Sequence, residues 1–295
     1  MVSNYASAAL APFAKAITRV LEDDEGILSH LTEAWATSIA RLCIGLRQRR
    51  TGGAFLLTPN PSAVLQVTHP FAYPRFRDAA ILAVLDKQYL WKVERAQQTC
   101  IDANVPVPPE LVIERGFAET DEKDRDDELT GAVKLVASLA AVDGLVLMTP
   151  ELSVAGFGVK IGSTPNFSTV YDGPSFSHKG TRARKIDASQ FGTRHGSILR
   201  YCAHDPKALG IVVSQDGYVR LVMTVRNRLV FWNNIKLLDH TDYSAREVAR
   251  IKSWRESQRR DWKSMGLGYT HMPKTMDSLL APPSRHKQKQ GAKRR

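Results

Sequence analysis

Apolar positions at helical spacing predict long helices in the first half of the chain. Between residues 28 and 39, apolar side chains recur at intervals of three and four residues, and Pro12 and Gly26 are the few breakers between residues 7 and 46. A similar pattern extends from about residue 76 to 103 and ends before a proline-rich segment. This period places apolar side chains on one helix face, so both stretches are predicted to be helices that pack on a core.

Short apolar runs bounded by glycine, proline or Asp-Gly predict β-strands. Three lie in the first half, at residues 54–57, 63–67 and 111–113, and five lie in the second half, at residues 144–148, 152–157, 208–213, 218–225 and 229–232. Runs of this length between turn residues are typical of buried strands. Further helices are predicted at residues 129–140, 195–202 and 244–265. The predicted fold class is therefore mixed α/β.

A dense acidic stretch predicts the main domain boundary. Residues 119–128 contain seven acidic and two basic side chains, which is typical of a solvated linker that runs into a helix N-terminus. We therefore expect a smaller α/β domain over residues 1–125 and a mixed-sheet domain flanked by helices over residues 126–243. A basic helical extension at residues 244–281 and a disordered basic tail at residues 282–295 are expected to follow.

The composition is that of an ordinary globular protein. Of the 295 residues, 43% are hydrophobic and 24% are charged, which excludes wholesale disorder, collagen-like repeats and a disulfide scaffold. No apolar run approaches the ~20 residues that a membrane-spanning helix needs, and the N-terminal segment does not resemble a signal peptide. The three cysteines are far apart, which fits a reducing compartment and no zinc site. We expect a cytoplasmic protein without membrane contact.

The positive charge is concentrated near the C-terminus. The formal net charge is +11, and residues 246–295 contribute fourteen Lys/Arg and four Asp/Glu side chains. The preceding part of the chain is thus close to neutral. The tail at residues 282–295 could contact nucleic acid or another polyanion through counterion release, or it could act only as a solubilising tail.

Two short segments carry candidate chemistry. The first is Val-Asp-Gly-Leu-Val-Leu at residues 142–147, a helix-to-strand junction, and the second is Gly-Thr-Arg-His-Gly-Ser at residues 192–197, a turn that enters a helix. Amides at a helix start favour phosphate, and hydroxyls and cations can add hydrogen bonds. The carboxylate of Asp143 can hold a divalent cation or polarise a sugar hydroxyl. Taken singly, an Asp-Gly pair is most often a turn and an Arg-His pair a cap or surface ion pair.

Four segments follow one another in an order that is specific. They are Asp-Gly-Leu at 143–145, Ala-Gly-Phe-Gly-Val-Lys-Ile at 155–161, Gly-Thr-Arg-His-Gly-Ser at 192–197 and Ala-Leu-Gly-Ile-Val-Val-Ser-Gln-Asp-Gly at 208–217. Together they resemble the diadenylate cyclase domain, which has Asp-Gly-Ala and Gly-Thr-Arg-His-Arg motifs and also forms the N-terminal part of the DNA-integrity scanning protein. The similarity covers roughly residues 129–238. Upstream, residues 52–58 and 69–74 resemble DACNV, a sensor domain that accompanies some of these cyclases.

The resemblance implies a nucleotidyltransferase that condenses two ATP into cyclic di-AMP and two pyrophosphates, using Mg²⁺ or Mn²⁺ and regulated by its N-terminal half. Family members bind one ATP per subunit, and two subunits of a homodimer or higher homo-oligomer face each other so that each 3′-hydroxyl attacks the other's α-phosphorus. By position, the implied catalytic residues are Asp143, Arg194 and His195, with Asp143 as the metal ligand. The implied nucleotide-binding residues are Gly144, Leu145, Val159, Ile161, Gly192, Thr193, Ser197 and Ser214.

Two departures from the family motifs affect this interpretation. Leu145 stands where the family has alanine, and the larger side chain could narrow the pocket or shift base preference. Gly196 stands where the family has arginine. Losing a cation that acts in the transition state would lower turnover by roughly two to three orders of magnitude. Arg200, Lys185 or Arg182 could supply the charge instead.

Two other hypotheses remain open at this point. The same fold could hold ATP or a cyclic dinucleotide without turnover, as a sensor or partner subunit, and the missing arginine at position 196 favours this hypothesis. Alternatively, the basic C-terminus could make the chain a polyanion-binding protein. In that case RNA or DNA binding would depend steeply on salt and would require residues 282–295.

Overall fold

The computed structural model describes residues 13, 15–20, 25–162, 164, 169–176 and 183–235. Four α-helices and nine strands make up most of these residues. The helices are α1 (Glu25–Gln48), α2 (Arg75–Asp102), α3 (Pro109–Asp143) and α4 (Thr193–His204), and short 3-10 helices lie at Lys15–Val20 and Ala188–Gln190. The strands are β1 (Gly53–Leu57), β2 (Leu65–Tyr73), β3 (Leu145–Met148), β4 (Val154–Ile161), β5 (Val170–Asp172), β6 (Lys185–Ile186), β7 (Leu209–Val213), β8 (Val219–Val225) and β9 (Arg228–Trp232).

All nine of these strands join one mixed sheet, in the order β2-β4-β3-β1-β7-β8-β9-β5-β6. The strand β1 is parallel to β3, with Ala54 opposite Leu145, and antiparallel to β7, with Phe55 opposite Ile211. A parallel pair needs a long crossover connection, and the chain between β1 and β3 supplies it with α2 and α3. The N-terminal strand therefore lies inside the sheet, between two strands from the second half of the chain.

Alternating side chains divide the core between the two faces of the sheet. On one face, Phe55 and Leu57 pack in a cluster with Trp35 of α1 and with apolar residues of α2 and α3. On the other face, Ala54 and Leu56 pack in a second cluster with apolar residues of α4. The described residues thus form a three-layer α/β structure, and the predicted mixed α/β fold class is confirmed.

The helix α4 approaches β7 closely because Gly210 has no side chain. A Cβ atom at Gly210 would overlap Cγ2 of Ile198 and would lie 3.3 Å from Sγ of Cys202. Ile198 and Cys202 are fully or almost fully buried, so they have little room to give way. The glycine therefore sets the distance between α4 and the sheet, and with it the place of residues 192–197.

The strand expected at residues 111–113 is wrong, because these residues lie in the first turns of α3. Pro109 is at the start of this helix, where a backbone N–H would have no carbonyl partner within the helix. Glu110 follows in the first turn, where a negative charge interacts favourably with the helix dipole. The side chain of Gln97 on α2 donates a hydrogen bond to the Leu111 carbonyl over 3.0 Å. A run of three apolar residues could not distinguish a strand from a helix that packs on its neighbour.

The acidic stretch at residues 119–128 is helical rather than a linker. Its carboxylates meet arginines of α1 and α2, since Asp126 lies 2.7 Å from Arg41 and Glu128 lies 2.8 Å from Arg75. The boundary predicted at residue 125 therefore falls inside α3, and strands from both sides of it share the sheet. A separate function for residues 1–125 stays a prediction.

Most other predicted elements are confirmed within a few residues. The helix predicted at 76–103 is α2, and the five strands predicted in the second half are β3, β4, β7, β8 and β9. The strand predicted at 63–67 continues through Pro70 as β2, which is tolerated because β2 is an edge strand.

The chain divides into two compact units, residues 1–239 and 240–295. The predicted basic helix and basic tail lie outside the described residues. Among the described residues, no helix combines the length and the apolar character needed to cross a membrane.

Candidate functional site

The Gly-Thr-Arg-His-Gly-Ser segment forms the N-terminal end of α4. Gly192 precedes the helix in an extended conformation, with φ −64° and ψ 172°, and has no side chain that could cap it. The first intrahelical bond joins the Gly196 amide to the Gly192 carbonyl over 3.0 Å. The amides of residues 193–195 therefore have no carbonyl partner within the helix. Such a helix end favours anions through its amides and its dipole.

Arg194 brings the two candidate segments together. A Cβ atom at Gly144 would lie 3.3 Å from Nη2 of Arg194, and one at Gly52 would lie 2.8 Å from Nη1. Gly144 has φ +82°, a conformation that favours glycine. The guanidinium group thus lies against the backbone of both glycines. The Asp-Gly junction and the start of α4, which the sequence analysis expected to act together, are neighbours in the fold.

Asp143 is the last residue of α3 and precedes Gly144 directly. Its side chain lies outside what the structure describes, so its role as a carboxylate stays a prediction. Over the described residues, no group of three or more His, Cys, Asp and Glu side chains could hold a metal ion. Mg²⁺ keeps waters and binds through one or two carboxylates together with substrate phosphates. The described residues could therefore bind a divalent cation only together with the phosphate groups of a bound ligand.

A second cation, Arg220 on β8, lies beside His195. Its Nη1 donates hydrogen bonds to Oγ of Ser214 and, over 3.3 Å, to Nε2 of His195. Its Nη2 lies 3.7 Å from Oδ2 of Asp216, and only 14% of its side chain is exposed. Sequence analysis missed Arg220, although it is the one charged residue in a strand that reads Val-Arg-Leu-Val-Met-Thr-Val. The structure joins the α4 start to the β7–β8 turn through this arginine.

The surroundings of His195 favour the neutral form of its imidazole. Burial lowers its pKa, and the positive charges of Arg220 and Arg194 lower it further, against a smaller opposing effect of Asp216. An arginine can only donate hydrogen bonds, so Nε2 of His195 accepts the bond from Arg220. In the structure its ring stacks on Phe191, with ring centroids 5.8 Å apart.

We expect an NMR titration to place the pKa of His195 below its ordinary value of 6.5. In the Arg220→Gln variant this pKa should rise, because one of two nearby positive charges is gone while burial remains. Since the folded-state pKa is the lower one, His195 contributes stability above the unfolded-state pKa of about 6.5, and this contribution is lost as pH falls through the folded-state pKa. An unchanged His195 pKa in Arg220→Gln would contradict the assigned contact.

The side chain of Arg200 lies beside Gly196, the position at which the motif of the resembled domain has arginine. A Cβ atom at Gly196 would lie 3.6 Å from Nη1 of Arg200, and Nη2 of Arg200 donates to Oγ of Ser197 over 3.1 Å. Arg200, one of the substitutes named from the sequence, therefore lies beside the motif. Lys185 lies on the edge strand β6, and Arg182 falls outside the described residues.

The residues expected to line an adenine pocket lie on the α4 side of the sheet. Leu145 and Val159 are buried there, each with 7% of its surface exposed, and Ile161 is half-buried against the same cluster. Ile198 of α4 belongs to this cluster as well. The apolar residues and the phosphate-favouring helix start are thus on one face of the sheet. Leu145 and Val159 also serve the core, which limits how far they can line a pocket.

The remaining predicted residues flank this arrangement. Thr193 is exposed in the first turn of α4, and Ser197 is half-buried one turn later. Ser214 follows β7 directly, accepts a hydrogen bond from Arg220 and donates one to Asp216. The structure therefore groups all the predicted phosphate-facing residues around the N-terminal end of α4.

Comparison with known proteins adds little to this picture. No protein-family model matches the chain, and no curated protein does so either. Among solved structures, a double mutant of DacA from Staphylococcus aureus matches with a TM-score of 0.31 and 12% sequence identity, over 69% of this chain and 88% of that chain. The function of the site must therefore be inferred from its own contacts.

Proposed function

We propose that this chain is a nucleotidyltransferase that condenses two ATP molecules into cyclic di-AMP, as a homodimer or higher homo-oligomer. The contact between Arg194 and the backbone of Gly144 is the observation that supports it most. This contact places the residue after Asp143 beside a helix start suited to phosphate. Nucleotidyl transfer needs these parts together, because a positioned hydroxyl must meet a phosphorus whose charge is stabilised.

In this proposal the start of α4 holds the phosphates. The amides of residues 193–195, the hydroxyls of Thr193 and Ser197 and the guanidinium of Arg194 supply the hydrogen bonds. Arg220 adds a positive charge behind His195, where it hydrogen-bonds to Ser214. We assign to Arg220 part of the electrostatic role that the family arginine at position 196 would have. An anion bound here would raise the pKa of His195 and favour its protonated form.

The reaction requires two copies of this site face to face. The 3′-oxygen of one nucleotide forms a bond to the α-phosphorus of the other, and the bond from that phosphorus to the bridging oxygen of pyrophosphate breaks. The hydroxyl proton leaves to solvent or to Asp143, and the second hydroxyl repeats the exchange in the opposite direction. A bound Mg²⁺ or Mn²⁺ would supply Lewis-acid stabilisation of the phosphate charge. The residues of the chain position both nucleotides and stabilise the developing negative charge.

The base would lie on the apolar α4 side of the sheet, against Leu145, Val159 and Ile161. Leu145 fills space that alanine would leave open, so the choice between adenine and another base is set partly at this residue. Control by the N-terminal half is part of the proposal. Gly52 belongs to that half and touches Arg194, and it is followed by β1 in the middle of the sheet. A change in the position of β1 would thus reach the phosphate site directly.

Incubation of the purified chain with ATP and Mn²⁺ or Mg²⁺, followed by mass spectrometry, tests this function. We expect a cyclic dinucleotide and pyrophosphate, and we expect the Asp143→Asn variant to form neither while it still binds ATP. The variant is isosteric, so a loss of product without a loss of folding reports on the carboxylate. Product that forms equally well in Asp143→Asn would contradict the role of Asp143.

A second candidate is a module of the same fold that binds a cyclic dinucleotide or ATP without turnover. It is favoured by Gly196, which provides no side chain at a position where the family has a cation. Calorimetric titration with ATP and with cyclic di-AMP separates the two candidates. Tight binding without any product, with either metal, would favour the binding module.

A further inference from the structure

A surface pocket of about 380 Å³ lies between the C-terminal end of α1 and the turn that joins β7 to β8. Arg47, Gln48 and Arg50 line it from the α1 side, and Gln215, Asp216 and Gly217 line it from the turn. None of these residues is among the site residues predicted from the sequence, although Gln215, Asp216 and Gly217 belong to the fourth motif segment. The volume is large enough for a phosphate or a pyrophosphate group.

The charge of the pocket favours an anion. The carboxylate of Asp216 already accepts a hydrogen bond from Ser214 and lies 3.7 Å from Arg220. These contacts lower the pKa of Asp216, with the Ser214 hydroxyl as the main cause. Within the described ranges, neither Arg47 nor Arg50 forms an ion pair with a carboxylate. Two arginines that have no carboxylate partner among the described residues therefore line a pocket whose acidic group, Asp216, already has a hydrogen-bond donor and a nearby positive charge.

The pocket adjoins the start of α4 through Gln215 and Gly52. A Cβ atom at Gly52 would lie 3.4 Å from Cγ of Gln215, which lines the pocket, and 2.8 Å from Nη1 of Arg194. Gln215 and Arg194 thus both lie beside Gly52, so the wall of the pocket and the start of α4 are neighbours. A chain of phosphates held at Arg194 could continue toward Arg47 and Arg50.

We infer that this pocket is an anion subsite that binds a phosphate group through Arg47 and Arg50. The phosphate could come from two sources, the terminal phosphates of a nucleotide held at Arg194 or a free polyphosphate such as pyrophosphate. The binding chemistry is the same in both cases. The inference concerns phosphate binding alone, so it holds whether or not the chain is a cyclase.

Calorimetric titration of the full chain with sodium pyrophosphate tests the subsite. The Arg47→Ala/Arg50→Ala variant should lose at least about tenfold in affinity, because charge-assisted hydrogen bonds to two arginines are removed. Arg49→Ala is the matched control, since Arg49 lies between them in sequence but donates to the Lys134 carbonyl over 3.3 Å. It removes one positive charge from the same helix end and should leave the affinity within about twofold. Absence of pyrophosphate binding, or equal losses in the double variant and the control, would overturn the subsite.

Titrations with ATP and AMP then separate the sources. If ATP affinity falls in the Arg47→Ala/Arg50→Ala variant while AMP affinity does not, the subsite holds the terminal phosphates of the nucleotide. If ATP and AMP affinities are both unchanged and only pyrophosphate affinity falls, the subsite takes a free anion. Pyrophosphate binding that depends on Arg47 and Arg50 in a chain that makes no cyclic dinucleotide would support the subsite while the proposed reaction fails.

Discussion

In the proposed reaction, the Arg194→Ala variant is expected to form cyclic dinucleotide about 10²- to 10³-fold more slowly than the unmodified chain, because the proposed charge-assisted contact to the reacting phosphate is lost. The guanidinium lies over Gly144 and Gly52 and is exposed, so its removal leaves no cavity in the core. We therefore expect the free energy of unfolding to change little. Initial rates of product formation, measured by mass spectrometry with saturating ATP, would show the loss.

Two further variants make this result specific. Arg194→Lys keeps the charge but cannot form the bidentate hydrogen bonds of a guanidinium. Its rate of product formation should therefore lie between those of the unmodified chain and of Arg194→Ala. Arg115→Ala removes an arginine that pairs with Glu94 and Glu119 in the α2–α3 region, and it should retain full activity. A fully active Arg194→Ala variant would show that the start of α4 does not bind the reacting phosphate.

The Gly210→Val variant is expected to lose about 2–3 kcal/mol of its free energy of unfolding, because the added side chain overpacks the interface between α4 and β7. It would collide with Ile198 and crowd Cys202, both of which are buried. Urea denaturation followed by circular dichroism measures the change. Since α4 must move outward to make room, the proposed ATP affinity should fall as well, although Gly210 is not one of the proposed site residues.

Gly131→Ala is the matched control. It lies in α3, and a Cβ atom there meets nothing within 4 Å, so alanine should stabilise the helix by about 0.5–1 kcal/mol. Wild-type stability in Gly210→Val would mean that α4 is not held against β7 as the structure places it.

Much of the fold followed from local patterns. The five strands of the second half and the helix α2 were predicted near their observed positions, since each has a clear apolar period bounded by turn residues. The two motifs around Asp143 and Arg194 were also expected to meet. Their contact in the structure depends on two glycines, at positions 52 and 144, and the sequence pattern had pointed to the second.

Other features depend on contacts between distant segments and were not predictable from local pattern. The composition of the acidic stretch in α3 is typical of a linker. Its arginine partners, such as Arg41 and Arg75, come from α1 and α2 and are brought beside it only by the fold. The position of β1 between β3 and β7 also depends on pairing with strands that are distant in sequence. Arg220 was missed because a single charge in a strand has no motif, and its role appears only when β8 brings it next to His195.

The central position of β1 has a consequence for how the chain is made. Leu57 pairs with Leu209, so β1 must wait for about 150 further residues before its second neighbour exists. At translation rates of about 5–20 residues per second, this delay is on the order of 8–30 s. During that time at least one hydrogen-bonding edge of this apolar strand is exposed to other nascent chains. A circular permutant in which β7 precedes β1 in the chain should shorten this delay and raise the yield of soluble protein.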